Sequence, residues 1–290
     1  MRYLSYLLLI YLFIGCKHSD NRTNCHASYC LSYELKTPIK FANGEITTNN
    51  GINFSKNGKD LYVSKPKAKT FKNGKSFMGI VQYMYDQGRW STPLNIDFMI
   101  DAYHPVLSTD NQKLFFNSRS HPDSINISVP HNIWCSEKTP KGWSKPRLLE
   151  QINSSSYDSY PSIASSNNLY FNSDRPGGKG GMDIYVSYYD NGVYQKPINI
   201  KEINSTHSEN DLVIDHNERF IIFNRYIDSS NEIDLYISYK EGNVWKVPKR
   251  LDKINSPDDW ELTPTLSPDG HYFFYELNGV IMQIDITELH

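Results

Sequence analysis

Acidic side chains recur in this sequence just ahead of short apolar runs: Asp101 with His104, Asp158 with Tyr160, Glu209 with Asp211, then Asp258, Asp259, Trp260 and Glu261. Carboxylates grouped this way suit glycoside chemistry. A pair ~5–5.5 Å apart serves retaining hydrolysis, and a pair ~6.5–9.5 Å apart leaves room for the water of an inverting reaction. Asp101, Asp158 and Glu209 are the set that such an enzyme would use. With Trp260, Tyr103 and Tyr160 as stacking faces, the same positions would instead line an acidic pocket for a sugar, a peptide or a cation. A simpler role is to cap turns and accept backbone N–H bonds. The acids recur in register, which independent catalytic groups need not do, so the capping role carries more weight. Irregular positions are more informative: His104 is the one His directly before such a run, and 258–261 is the one such segment with a Trp. These residues form the candidate ligand-binding set: Asp101, His104, Asp158, Tyr160, Glu209, Asp211, Trp260 and Glu261. No residue is assigned a catalytic role, since nothing marks one carboxylate as a raised-pKa acid and no nucleophile-elbow sequence is present. The nine His are scattered, with only His104 and His207 near these runs, so neither a metal nor another cofactor is expected.

The elements that position these residues repeat. INFSKNGKDLYVS from Ile52, PVLSTDNQKLFFNS from Pro105, PSIASSNNLYFNS from Pro161, LVIDHNERFIIFNR from Leu212 and PTLSPDGHYFFYE from Pro264 align, and Val63, Phe116, Phe171, Phe223 and Tyr275 are separated by 53, 55, 52 and 52 residues. Each unit continues into a second apolar pattern (GIVQY, NIWCS, DIYVS, DLYIS). An aromatic follows with Pro three residues later, in Trp90/Pro93, Trp143/Pro146, Tyr194/Pro197 and Trp245/Pro248. Turn signals such as Asn57-Gly58 and Asp269-Gly270 fall where antiparallel neighbours join. Each repeat reads as a meander of four short strands, a to d, and radial repetition of ~40–50-residue four-stranded units is the signature of a β-propeller. LKTPIKF from Leu35 matches the fourth-strand pattern, and the last repeat lacks one. The expectation is therefore an all-β fold: a five-bladed β-propeller of four-stranded antiparallel blades, its ring closed by the N-terminal strand joining the C-terminal blade.

Ser159 to Asn204 resembles the WD40-like propeller repeats of TolB and of cell-envelope lipoproteins common in Bacteroidetes. It carries the Pro-initiated strand, the LYFNS strand, an Asp-Arg-x-Gly-Gly loop and the Asp-Ile-Tyr strand, while Ser267-Pro268-Asp269-Gly270 keeps the turn signature. The resemblance spans about Leu35 to Leu289 and speaks to fold, because propellers host binding, scaffolding and catalysis alike. It implies a lipid-anchored envelope module that binds a protein partner or a glycan or peptide ligand without catalysis of its own. The alternative is a carbohydrate-active propeller, a hydrolase or lyase, using carboxylates at the channel mouth.

The N-terminus supports an exported chain. The apolar run Ser5 to Gly15 is far shorter than the ~18–20 residues needed to span a bilayer, and it ends Leu12-Phe13-Ile14-Gly15-Cys16, similar to a lipobox. The expected organisation is a lipoprotein signal peptide over 1–15, a lipidated polar tether over 16–33 and the propeller over 34–290. Cys16 is the lipidation site, acylated with palmitate or a similar chain, and the lipid is the sole membrane contact. By analogy the anchor is the outer membrane, with the domain periplasmic or surface-facing and monomeric. Disulfides persist in exported proteins, and a local Cys25–Cys30 bridge is expected, leaving Cys135 as a free thiol in a buried strand. Lys+Arg 30 against Asp+Glu 32 gives a net charge of −2, which offers no basic excess for nucleic acid. Gly177 to Gly181 precedes no helix and reads as a turn rather than a phosphate loop.

Overall fold

The computed structural model describes residues 27–70, 76–96, 101–119, 130–227, 229–230 and 232–289. Five antiparallel sheets follow one another along the chain, each with strands a to d in order. Blade I comprises Ile52–Phe54, Asp60–Thr70, Ser76–Asp86 and Leu94–Ile96; blade II comprises Tyr103–Leu107, Lys113–Ser118, Asn132–Thr139 and Arg147–Leu148. Blade III is Asp158–Ile163, Leu169–Ser173, Asp183–Ser187 and Ile198–Asn199; blade IV is Ser208–Ile214, Phe220–Ile227, Glu232–Glu241 and Lys249–Arg250. Blade V takes Glu261–Leu266, Tyr272–Leu277 and Val280–Asp285 from the C-terminal end, and its strand d is Ile39–Lys40. Ile39 pairs with Gln283 and Lys40 with Met282, so the N-terminal strand closes the ring as its sequence pattern predicts. Not every strand is short: strands b and c of blade I run 11 residues each, and Lys65 and Lys67 lie in the first of them.

Alternation along strands places large side chains between blades. The core is accordingly five hydrophobic clusters, one at each blade–blade interface, and the V–I cluster contains Phe54, Leu61, Phe274 and Ile281. The post-turn aromatics complete these interfaces. Trp143 of blade II meets Tyr62 of blade I edge-on at 6.1 Å, and Trp245 of blade IV meets Tyr170 of blade III at 6.3 Å. Cys135 is fully buried and free, and burial pushes its thiol up to about 11.

Inner strands have an edge whose polar groups need partners. A polar side chain clasps the backbone across each interface. Asn53 Oδ1 accepts from Leu107 N (3.0 Å), Asn117 Oδ1 from Tyr160 N (3.0 Å), Ser162 Oγ from Ile214 N (3.0 Å) and Asp211 Oδ2 from Thr263 N (3.3 Å), while Thr265 Oγ1 donates to the Ile52 carbonyl (3.0 Å). The last of these joins blade V to blade I.

Cys16 and Cys25 lie outside the described residues, and Cys30 is disulfide-bonded. Within the expected tether, Tyr29 is buried against Phe54 and Tyr272, and its carbonyl accepts a bond from Gln283 Nε2 at 2.8 Å.

Candidate functional site

The repeated acids sit where strand a begins. Asp101, Asp158 and Glu209 are fully buried, and each is engaged by its own d–a loop or a neighbouring strand together with an Arg from the end of its own strand b. Glu209 accepts from Ser205 N (3.1 Å) and Arg225 Nε (2.7 Å), and Arg225 also donates to the Ile203 carbonyl (3.1 Å). Asp158 receives Ser154 Oγ at 2.8 Å and Arg175, and Asp101 receives Met78 N at 2.8 Å and Arg119 Nε at 3.3 Å. Arg175 lies over Tyr185 (4.9 Å) and Arg225 over Tyr236 (4.6 Å), so these cations are held by π faces as well as by carboxylates. The structure brings the three acids together with arginines and not with one another.

Blade V breaks the pattern. Glu209 faces Arg225 across the strand pair, whereas Glu261 faces Leu277. Glu261 Oε1 accepts from Ser256 N at 3.1 Å, and Oε2 has no partner. Burial pushes its pKa up to about 7.

Three other predicted residues do converge. His104, Tyr160, Asp211 and Thr263 occupy equivalent bulges in strand a, Gly51 stands at the same place just ahead of strand a in blade I, and all five have left-handed φ: 98° at Gly51, 55° at His104, 52° at Tyr160, 36° at Asp211 and 48° at Thr263. A β-branched residue there is strained. The bulges turn these side chains toward the centre of the ring. His104 meets Tyr160 edge-on at 5.1 Å, Tyr160 lies beside the Asp211 carboxylate, and Asp211 receives Asn224 Nδ2 at 3.0 Å. Thr263 then leads to Glu276 (Oγ1 to Oε2, 3.5 Å), Glu276 accepts from Asn50 N (3.3 Å), and the Asn50 carbonyl accepts from His104 N (3.1 Å). These contacts form a closed circle, a neck between the two ends of the channel. His104 Nδ1 and Asp211 Oδ1 are buried in it without partners. Burial lowers the His104 pKa to about 4 and raises Asp211 to about 6; Glu276 rises to about 7 through burial and the nearby Asp211 charge.

On the d–a side of the neck, Trp260 is 47% exposed at the rim of a cavity of about 170 Å³ that Glu276 also lines. The larger space is at the opposite end. A cavity of about 520 Å³ is lined by the a–b turns, including Lys56, Thr109, Asn111, His216 and Asn217, over an apolar floor of Val106, Ile163 and Leu266. Its volume is within the ~300–1,000 Å³ of small-molecule sites. The a–b acids are turn residues: Ser108 Oγ donates to Asp110 at 2.6 Å, and Arg219 Nε to Asp215 at 2.8 Å. Among the described residues, no group of three His, Cys, Asp or Glu is placed to hold a metal ion.

Sequence reasoning missed Glu276 and the a–b cavity. Glu276 carried a signal, since it stands where three of the other repeats have Asn117, Asn172 and Asn224 and blade I has Ser64. The Gly-rich segment has a packing explanation. Asp183 Oδ2 accepts from Lys179 N at 2.7 Å, and a Cβ on Gly180 would stand 1.6 Å from the His207 carbonyl oxygen of the next blade's entry loop. Gly180→Ala should therefore cost about 1–3 kcal/mol in urea unfolding. An unchanged midpoint would mean that this loop is not packed as described.

No family model and no curated protein matches the sequence. Among solved structures, the fold is similar to a TolB from Agrobacterium tumefaciens, with a TM-score of 0.53 and 14% identity over 82% of this chain and 77% of that one. It is also similar to TolB from Acinetobacter baumannii, with a TM-score of 0.50 and 12% identity over 86% of this chain; there the match spans 59% of the longer protein. The chain is a five-bladed β-propeller with a TolB-like fold.

Proposed function

We propose that this propeller is a non-catalytic binding module of the bacterial cell envelope, held to the outer membrane by a lipid on Cys16 and presenting its channel to a protein partner or to a glycan or peptide ligand. One observation carries the reading: the carboxylates that an inner-strand glycosidase would need, Asp101, Asp158 and Glu209, are buried and paired with arginines, while the open space lies at the a–b end. A buried carboxylate held by a guanidinium and backbone N–H groups cannot reach a glycosidic bond. The candidate contacts His104, Tyr160 and Asp211 form the neck of the channel, and Trp260 stands on the rim at its d–a end.

The anchor has its own test. Cys16→Ser should move the protein from the membrane fraction to the soluble envelope fraction. An unchanged membrane fraction would remove the lipid from the account.

A further inference from the structure

We propose that the cavity at the d–a end of blade V, between Trp260 and Glu276, is a binding site for a primary ammonium group. It is a second site, on the far side of the neck from the a–b cavity, and does not depend on the function proposed above. Its lining is Asp258, Asp259, Trp260, Leu262, Glu276 and Asn278, around about 170 Å³. That space is below the ~300 Å³ of ordinary ligand pockets and suits one aliphatic chain end.

Glu276 is 8% exposed. Both of its hydrogen bonds, from Asn50 N and Thr263 Oγ1, go to Oε2, which leaves Oε1 without a partner in the protein. A buried carboxylate is ordinarily paired with a cation, as Asp101, Asp158 and Glu209 are with arginines. Among the described residues no Lys or Arg pairs with Glu276, and two further acids stand at the same mouth. A cation from outside the chain would complete the site.

Its type follows from the donors it would meet. A guanidinium is best held by two carboxylate oxygens at once, whereas an ammonium is a compact point charge. Glu276 offers one free oxygen. A calcium ion needs several carboxylate oxygens converging on one point, and among the described residues no group of three His, Cys, Asp or Glu is placed to hold a metal ion. Leu262 gives an apolar wall for a methylene stem, and Trp260 offers a π face to the charge. The ammonium belongs either to a free amine or to a lysine side chain of another polypeptide.

The test is titration of the full chain with n-butylammonium, n-butanol and a capped Gly-Lys-Gly peptide, followed by calorimetry and by the indole N–H resonance of Trp260. Butylammonium or the lysine peptide should saturate and shift that resonance, and butanol should not. Glu276→Gln should weaken binding at least tenfold, and Trp260→Ala, at an exposed position that leaves the fold intact, several-fold. Tighter binding of the peptide assigns the site to a partner's lysine, and tighter binding of butylammonium assigns it to a free amine. Equal binding of butanol and butylammonium, no binding of either ammonium probe, or unchanged affinity in both variants would overturn the proposal.

Discussion

Arg225→Ala is expected to lower the unfolding free energy by about 3–5 kcal/mol, the usual cost of leaving one member of a buried ion pair alone. Glu209 is fully buried and Arg225 is 14% exposed, so water cannot replace the guanidinium at 2.7 Å from Oε1. The loss also removes the bond to the Ile203 carbonyl and the contact with Tyr236. The double variant Arg225→Ala with Glu209→Gln should recover part of the loss, because the orphaned charge is then gone. Arg219→Ala is the control: Arg219 is 62% exposed, and its pair with Asp215 should contribute no more than about 1 kcal/mol. Urea unfolding followed by tyrosine and tryptophan fluorescence reads all three. Equal, small losses in Arg225→Ala and Arg219→Ala would contradict a structural role for the d–a acids.

The second large effect is a loss of stability as pH rises from about 4.5 to about 7 that Glu261→Gln reduces. Glu261 has its pKa raised by burial from 4.5 to about 7. An acid raised on folding contributes stability that is present below its unfolded value and lost as pH rises through the folded one. Glu276 and Asp211, raised to about 7 and about 6, act in the same direction. His104 and His131 act oppositely. Burial lowers both to about 4, so they withdraw stability as pH falls below about 6.5. Between about pH 4.5 and 6.5 the two sets oppose each other, and above 6.5 only Glu261 and Glu276 still withdraw stability. At pH 8 Glu261→Gln should be more stable than the parent by about 1–3 kcal/mol after allowance for solvent screening, and near-equal to it at pH 5. Leu277→Arg should act similarly by placing a guanidinium where blade IV has Arg225. A parent and variant that keep the same difference at both pH values would show that Glu261 is ionised in the fold throughout.

Much of the architecture was legible because a propeller writes its geometry as a period. The spacing of Phe116, Phe171 and Phe223 set the blade length, and the fourth-strand pattern at Pro38 to Lys40 announced the closing strand, which pairs with Met282 and Gln283. The structural role of Asp101, Asp158 and Glu209 was legible from their recurrence. What lay beyond sequence was direction. Which way His104 points depends on the bulge it sits in, between Tyr103 and Val106, and a left-handed φ at a non-glycine leaves no compositional mark. The a–b cavity was hidden for a related reason: Asn111, His216 and Asn217 are ordinary turn residues, and only ring closure sets them around one space. Departures from the repeat were the usable signal. Glu276 in place of Asn or Ser, and Leu277 in place of Arg, Lys or Ser, mark where blade V departs from the others.

The account rests on the channel being a place of binding and not of turnover. Its most direct measurement is affinity capture of the full chain from envelope fractions, run beside Asn217→Trp and Thr109→Trp, which put bulk on the a–b rim without touching the blade interfaces. The account predicts a stoichiometric partner or ligand retained by the parent and lost from both variants, with no cleavage of envelope glycans by either. Retention that is indifferent to the rim substitutions, or glycan turnover by the parent protein, would contradict it.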